Sequence, residues 1–248
     1  MTSGLRFLSQ GMGDAPASDE WLSPLEAGYV GRLRFAKRRT EFRLGRWTAK
    51  KALALYLGRA DAPAELASVV IDRAPDGAPA PFVDGRPAEA YLTMTDRADQ
   101  AVCVVGPPGT RLGCDLELVE PRTDAFVLDF LTPAERALVL AAPEGDARAL
   151  LANLVWCGKE SSLKVLRTGL RRDTLTVEVS LPAGPGVDGW LPLEVRLAEG
   201  GVHHGWWQRF GAFVLTVAAT EPFAPPRPLV DPPTLATAVP AESWRQGL

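Results

Sequence analysis

Histidine and cysteine are scarce in this chain, which has two of the first and three of the second among 248 residues. His203 and His204 are adjacent, a spacing that suits neither a metal pair on one helix face nor a catalytic triad. Cys103, Cys114 and Cys157 lie far apart and form no C-x-x-C pair. That argues against a zinc site and against a disulfide framework, and the thiols read as small core residues. No uninterrupted apolar run reaches membrane-spanning length. No basic region followed by an apolar core opens the chain, so no signal peptide, no membrane partner and a cytoplasmic location are expected. An excess of positive charge is also missing, and a formal net charge of −3 argues against general nucleic-acid binding. What is present, 46% hydrophobic and 23% charged residues, is the balance of a globular protein. The length suits one large domain or two of ordinary size.

Along the chain, residues up to about Glu20 are polar and glycine-rich and read as flexible. Ser23-Pro24 starts a helix within Leu22 to Phe35, and a second runs from about Thr40 to Leu57 with Gly58 to close it. Its basic residues Lys50 and Lys51 read as a solvated face. Asp76 to Pro87 reads as loops around a short strand at Phe82-Val83. Tyr91 to Thr95 and Ala101 to Val105 form a hairpin turned at Asp96 to Gln100. Thr123 or Asp124 caps a helix through Leu131, and Thr132-Pro133-Ala134-Glu135 starts another, with threonine as N-cap and glutamate near the positive helix end. Ala147 to about Arg167 is a long helix. Leu175 to Leu181, Leu191 to Ala198 and Ala212 to Ala218 read as strands, with Trp206-Trp207 starting or preceding the last. From Glu221 the chain is dense in proline and reads as extended or partly disordered.

Two stretches concentrate the chemistry. Gly113 to Glu117, GCDLE, alternates as a strand, so Asp115 and Glu117 point to one side of a sheet. Trp156 to Lys164, WCGKESSLK, places Trp156, Glu160 and Lys164 at i, i+4 and i+8 of a helix, with Lys159 and Leu163 beside that stripe. Three carboxylates and a lysine near an aromatic ring would make a magnesium and phosphate site, since hard oxygen ligands suit that ion. Each piece has a plainer reading. Glu160 and Lys164 are also an ordinary helix pair worth about 0.2–0.5 kcal/mol, and Asp115 and Glu117 could be the solvated face of an edge strand.

In this order and spacing the two stretches resemble the paired signature of the 4'-phosphopantetheinyl transferases, more narrowly the larger, surfactin-synthetase-type branch. Gly113, Asp115 and Glu117 match its G-x-D-x-E motif. Trp156, Lys159, Glu160, Ser161 and Lys164 match W-x-x-K-E-[SA]-x-x-K. The resemblance extends from about Leu22 to Ala218. It implies an α+β fold of two similar, pseudo-twofold-related lobes, each a small antiparallel sheet packed on a long helix. The lobes would be residues 1–112 and 113–220, followed by a proline-rich tail at 221–248. The chain would be a monomer with its site in the cleft between the lobes.

The implied reaction transfers the 4'-phosphopantetheine arm of coenzyme A to a serine of an apo acyl or peptidyl carrier protein and releases 3',5'-ADP. The carrier would serve fatty acid, polyketide or nonribosomal peptide synthesis. Magnesium would be held by Asp115, Glu117 and Glu160. Glu160, or a water it orients, would be the base, and Lys164 and Lys159 would neutralise the pyrophosphate. Arg39 and Arg46, in a run resembling the amino-lobe motif, would hold coenzyme A phosphate through their guanidinium forks.

A G-[KR]-P turn meets the adenine in the family, and either Gly77-Ala78-Pro79 or Gly85-Arg86-Pro87 stands for it here. Where the family has S-x-S-H-S, this chain has Thr93-Met94-Thr95-Asp96-Arg97. Thr95 supplies the hydroxyl, but Asp96 replaces the phosphate-binding histidine. A carboxylate about 4 Å from a phosphate costs roughly 1–4 kcal/mol, so Asp96 must turn away, be neutralised by Arg97 or bind a cation, and Arg97 could take over the contact. Glu135 is either a plain helix cap or a neighbour of the magnesium site. Arg167, Arg171 and Arg172 could steer an acidic carrier protein or simply complement the helix end. Two other readings stand beside the transferase. One is a degenerate homologue that binds carrier protein or coenzyme A without catalysis, and the other is a magnesium-dependent phosphohydrolase.

Overall fold

A computed structural model describes residues 4–240. Residues 1–3 and 241–248, the outermost parts of the expected flexible start and proline-rich tail, lie outside the described residues. The chain divides into two compact units, residues up to Thr110 together with those from Pro226 onward, and Arg111–Pro225.

The first unit opens with a strand that sequence reading took for flexible chain, β1 at Arg6–Gly11, in which Phe7 to Gln10 are all buried. Both faces of this strand are covered, so no period-two pattern betrays it. Helix α1 (Pro24–Arg32) starts at a capping box, with Ser23 Oγ accepting from Glu26 N and the Glu26 carboxylate accepting from Ser23 N at 3.0 Å. Helix α2 (Ala36–Tyr56) begins four residues before the expected Thr40, and Gly58, at φ 67°, follows its end. A short helix α3 (Pro63–Leu66) leads to an antiparallel sheet of β2 (Val69–Arg73), β3 (Pro79–Val83) and β4 (Arg86–Pro87). Strands β5 (Tyr91–Arg97) and β6 (Gln100–Gly106) form a hairpin. Its two loop residues, Ala98 and Asp99, both have positive φ, as the tightest hairpin turns require. β1 pairs antiparallel with β6, and α2 packs Trp47, Leu53 and Ala49 into a core with Leu66, Ile71, Leu92 and Val105.

In the second unit, β7 (Leu112–Leu118) is followed by α4 (Asp124–Phe130), α5 (Pro133–Ala141) and the long α6 (Asp146–Val165). Strands β8 (Val177–Ser180), β9 (Leu191–Leu197), β10 (Val202–Phe210) and β11 (Phe213–Ala219) complete an antiparallel sheet in the order β7-β11-β10-β9-β8. Trp206 and Trp207 precede the strand at Phe213–Ala219 rather than start it. They sit inside β10, a strand of its own whose half-buried indoles blur the alternation.

The described residues of the tail, up to 240, do not hang free. Arg227–Pro228 forms β12, parallel to β1 at its outer edge. A 3-10 turn at Thr234–Thr237 then buries Leu235, and Ser9 Oγ accepts from Leu235 N at 3.0 Å.

Both units are α+β and share one plan of strand, capped short helix, long helix and antiparallel strands. The sequence repeat behind it is sparse but keeps its interval. Ser23-Pro24-x-Glu26 and Thr132-Pro133-x-Glu135 lie as far apart as Trp47-x-x-Lys50 and Trp156-x-x-Lys159. Each repeat closes as a buried ion pair. Lys50 Nζ lies 2.6 Å from Glu26 and Lys159 Nζ 2.7 Å from Glu135, with all four side chains out of solvent. The second carboxylate oxygen of each glutamate accepts a strand N–H, from Ile71 at 3.1 Å or Val179 at 2.6 Å. Lys50 is therefore not on the solvated helix face assigned to it, because Glu26 and the Trp21 carbonyl satisfy its charge in the interior.

Candidate active site

The second unit's chemistry lies where β7 crosses α6. Gly113, Asp115 and Glu117 share one face of the strand, and Trp156, Glu160 and Lys164 share one face of the helix. Gly113 is what lets the two backbones meet. A Cβ there would fall 2.0 Å from the Ser161 carbonyl oxygen and 2.8 Å from Lys164 Cβ, so no larger residue fits. Behind this contact a buried polar seam ties helix to sheet. Ser161 Oγ and Thr216 Oγ1 are 2.5 Å apart, Thr216 donates to the Cys157 carbonyl, and the Cys157 thiol donates to the Asp115 carbonyl at 3.0 Å. Burial pushes that thiol well up, so it is a hydrogen-bond donor rather than a nucleophile.

Lys164 Nζ donates to Asp115 Oδ1 at 2.9 Å and to the Cys114 carbonyl at 2.8 Å. Burial opposes its charge, but Asp115 and Glu160 outweigh that and hold the ammonium above its ordinary value. Glu160 moves the other way. Burial, reinforced by Asp115 and opposed by Lys164, raises its carboxyl from 4.5 to about 7. Its Oε1 is buried and accepts no hydrogen bond among the described residues. Glu117 is engaged from two sides, with Trp156 Nε1 donating to Oε1 at 3.1 Å and Arg122 Nη2 lying 2.9 Å from Oε2. Trp156 is wedged between Phe126 and Phe130, with ring centroids 5.2 and 5.3 Å away.

Asp115, Glu117, Glu160 and Lys164 are thus all set on the β7–α6 crossing. Among the described residues, however, no three Asp, Glu, His or Cys side chains converge into a ready-made metal cage. Glu117 is turned to Arg122 and Trp156, and Asp115 to Lys164. The donor set still fits a hard divalent cation. It consists of carboxylates, and the buried, unengaged Glu160 oxygen is the kind of acceptor such a cation would satisfy.

The other expected residues lie elsewhere. Lys159, on the same helix, is not on this cluster. Fully buried, it is held by Glu135 and by the Thr174 and Val177 carbonyls, which fasten α6 to α5 and the start of β8. Burial lowers its ammonium and raises the Glu135 carboxyl, each opposed by the partner's charge. Glu135 is both the capping-box residue of α5 and the partner of Lys159. Arg39 Nη1 donates to the carbonyls of Leu33 at 2.8 Å and Arg34 at 3.0 Å, closing the end of α1. Arg46 lies along α2 with its guanidinium 4.7 Å from the Phe42 ring centroid and 3.4 Å from the Met94 sulfur. Its Nε is buried with no acceptor among the described residues, and burial lowers its pKa.

On β5, Thr95 is buried and Arg97 half-buried, while Asp96 points to solvent from the opposite face. The turns at Gly77 and Gly85, both with positive φ, join β2 to β3 and β3 to β4. Arg172 is paired with Glu199, and Arg171 is exposed beside the exposed Leu170.

Sequence reading missed Arg122 and Asn153, which meet at 2.6 Å behind Glu117. His203, which sequence reading placed in neither a metal pair nor a triad, has its Nδ1 2.8 Å from Ser162 Oγ inside the protein. No local motif marks these residues. The repeated interval between the two W-x-x-K turns could have marked Glu26 and Lys50.

Residues 111–191 match the family model of the 4'-phosphopantetheinyl transferase superfamily. That segment runs from β7 through α6 and β8 to the first residue of β9, and so includes every residue of the β7–α6 site. No curated protein matches the chain. Among the described residues no helix is long and apolar enough to cross a membrane.

Proposed function

We propose that this protein transfers the 4'-phosphopantetheine arm of coenzyme A to a serine hydroxyl of an apo acyl or peptidyl carrier protein, releasing 3',5'-ADP. The observation that carries this reading is Glu160, a half-buried side chain whose Oε1 is buried and unengaged and whose carboxyl is raised to about 7 beside Asp115 and Lys164, at a crossing no residue larger than Gly113 would permit. The superfamily match over the same elements supports it.

In this reading the carrier serine oxygen forms a bond to the phosphorus that bears the pantetheine arm, and the bond from that phosphorus to the bridging pyrophosphate oxygen breaks. The serine proton passes to Glu160 or to a water it orients. Bound magnesium would lower the Glu160 carboxyl again, so its placement rather than its basicity would carry the proton transfer. Lys164, already in place at Asp115, neutralises the departing phosphate of 3',5'-ADP. Asp115, Glu117 and Glu160 would hold magnesium, which when bound supplies charge neutralisation at the pyrophosphate. Lys159 acts at one remove, as the anchor that fixes the helix turn bearing Glu160. Arg46 is the favoured contact for coenzyme A phosphate, since its buried Nε has no protein acceptor. Arg39 serves mainly to hold α1. Met94, which Arg46 touches, shares its face of β5 with Asp96, while Thr95 and Arg97 stand on the other face, so a phosphate at Arg46 would lie on the Asp96 side of the strand.

The test is mass spectrometry of apo carrier proteins incubated with coenzyme A, magnesium and the purified protein. The expected result is a mass gain of one phosphopantetheine arm that disappears on magnesium removal and with Glu160→Ala. Coenzyme A binding without any mass gain on fatty acid, polyketide or peptide carriers would overturn the transferase reading in favour of a non-catalytic binder. Phosphate release without a carrier would point to a hydrolase.

A further inference from the structure

Glu117 is fixed by side chains that the chemistry itself does not use. Arg122 reaches it with Nη2 at 2.9 Å, while Arg122 Nε donates to Asn153 Oδ1 at 2.6 Å. Asn153 is completely buried in the middle of α6. Its Nδ2 donates to the Glu120 carbonyl at 2.7 Å and to the Ala149 carbonyl at 2.8 Å. With both carbonyls taking the amide nitrogen, the oxygen can only face Arg122, so the amide has one usable orientation. The guanidinium lies 4.7 Å from the Phe126 ring centroid, and Phe126 packs edge-on against Trp156, which holds the other Glu117 oxygen. The carboxylate is thus closed in a ring of guanidinium, phenyl and indole. In the first unit, at the same repeat interval, Leu44 occupies the place of Asn153.

We propose that Asn153 and Arg122 form a positioning relay that keeps Glu117 on the β7–α6 crossing, within reach of a divalent cation held with Asp115 and Glu160. The inference rests on the reading of Glu117 as a ligand given above. Partners of this kind, which orient a ligating side chain without touching the ion, change metal affinity by about 10–100-fold when lost. A charge argument alone predicts the opposite sign for Arg122. Removing a cation from beside a metal site should strengthen metal binding. Asn153→Leu separates the two effects, because it leaves every charge in place and removes the amide that orients Arg122; the lost bonds to the Glu120 and Ala149 carbonyls are read separately, in the metal-free melt.

The experiment is titration calorimetry of magnesium ion into the full chain, wild type against Asn153→Leu, with melting curves of both recorded without metal. The relay predicts magnesium binding at least tenfold weaker in Asn153→Leu. A purely structural asparagine would lower the metal-free melting temperature and leave magnesium affinity unchanged, and that outcome overturns the relay. Should Asn153→Leu fail to fold, Arg122→Lys serves in its place. It keeps the charge but loses the fork that joins Asn153 to Glu117, so it too must weaken magnesium binding, and unchanged affinity again overturns the relay. A wild-type chain that binds no magnesium would remove the ligand reading of Glu117 itself, a result distinct from wild-type binding that the variants leave intact.

Discussion

The two units bury the same frame and arm it differently. Each joins an [ST]-P-x-E cap to a W-x-x-K helix turn through an internal glutamate–lysine pair. Counting from the hairpins, β1 presents Leu8 and Gln10 where β7 presents Asp115 and Glu117. The long helices carry Lys51 and Leu55 in the first unit where Glu160 and Lys164 stand in the second. Even the paired indoles differ. Trp156 Nε1 donates to Glu117, whereas Trp47 Nε1 and Gln10 Oε1 are both buried without a hydrogen-bond partner among the described residues. The comparison separates frame from chemistry. Lys159 has a twin in Lys50, in a unit without the carboxylate cluster, so its ion pair belongs to the frame.

The largest effect should come from the residue without a twin. Glu160→Gln is expected to lower carrier modification by roughly 10²–10⁴-fold, the usual contribution of a general base, while Lys51→Ala, at the matching position of α2, changes the rate by less than a few-fold. A side-by-side initial-rate assay checks both. If Lys51→Ala is as damaging as Glu160→Gln, the chemistry is not confined to the second frame.

Next in size are the twin lysines. Lys50→Met and Lys159→Met should each cost about 3–5 kcal/mol in urea unfolding, because each leaves a buried carboxylate alone. Replacing both partners with apolar residues, as in Glu135→Leu with Lys159→Met, should recover most of that loss. Failure of the double change to recover stability would mean that the Val179 N–H and Thr132 N–H bonds to Glu135, rather than the ion pair, dominate.

Two glycines sharpen the contrast further. Gly113→Ala drives a methyl into the Ser161 backbone and should cost about 1–3 kcal/mol together with a loss of activity. Gly45→Ala meets only the flexible end of Met94, at 2.9 Å. It also gains about 1 kcal/mol of helix propensity, so melting should show little change. Comparable losses at both positions would contradict the backbone contact.

A further expected effect is a pH slope. The folded pKa of Glu160, about 7, lies above its ordinary 4.5. The stability linked to this group is therefore fully present below pH 4.5 and lost as pH rises through 7. Metal-free melting temperatures should fall over that range less steeply in Glu160→Gln than in the wild type. Equal slopes would mean that the carboxyl titrates at its ordinary value.

Much of the site could be read from the sequence because its residues lie at short, regular intervals. GCDLE alternates and WCGKESSLK steps by four, and each capped helix start announces itself with Ser-Pro or Thr-Pro. What escaped was set by tertiary context. β1 and β10 lack alternation because neither has one clean solvent face. Lys50 looks like any surface lysine until Glu26, 24 residues earlier, is brought beneath it. Arg122 and Asn153 are 31 residues apart and meet only because α6 folds back against the end of β7. Asp96 in place of the family's histidine argued against coenzyme A binding. The pleat of β5 leaves that objection in place, because Asp96 shares the strand face of Met94, which Arg46 touches.

The return of the chain to β1 has a consequence for how the protein is made. The first unit is split in sequence, and the second is continuous between its two parts. On the ribosome, all of the second unit's residues have been synthesised before Arg227 and Pro228 exist to cover the outer edge of β1, or Leu235 to fill the space beside Ser9. Until then β1 presents bare amides and carbonyls, the kind of edge that invites pairing with another chain. The nascent protein is most exposed to aggregation until the segment that carries Arg227, Pro228 and Leu235 has reached β1.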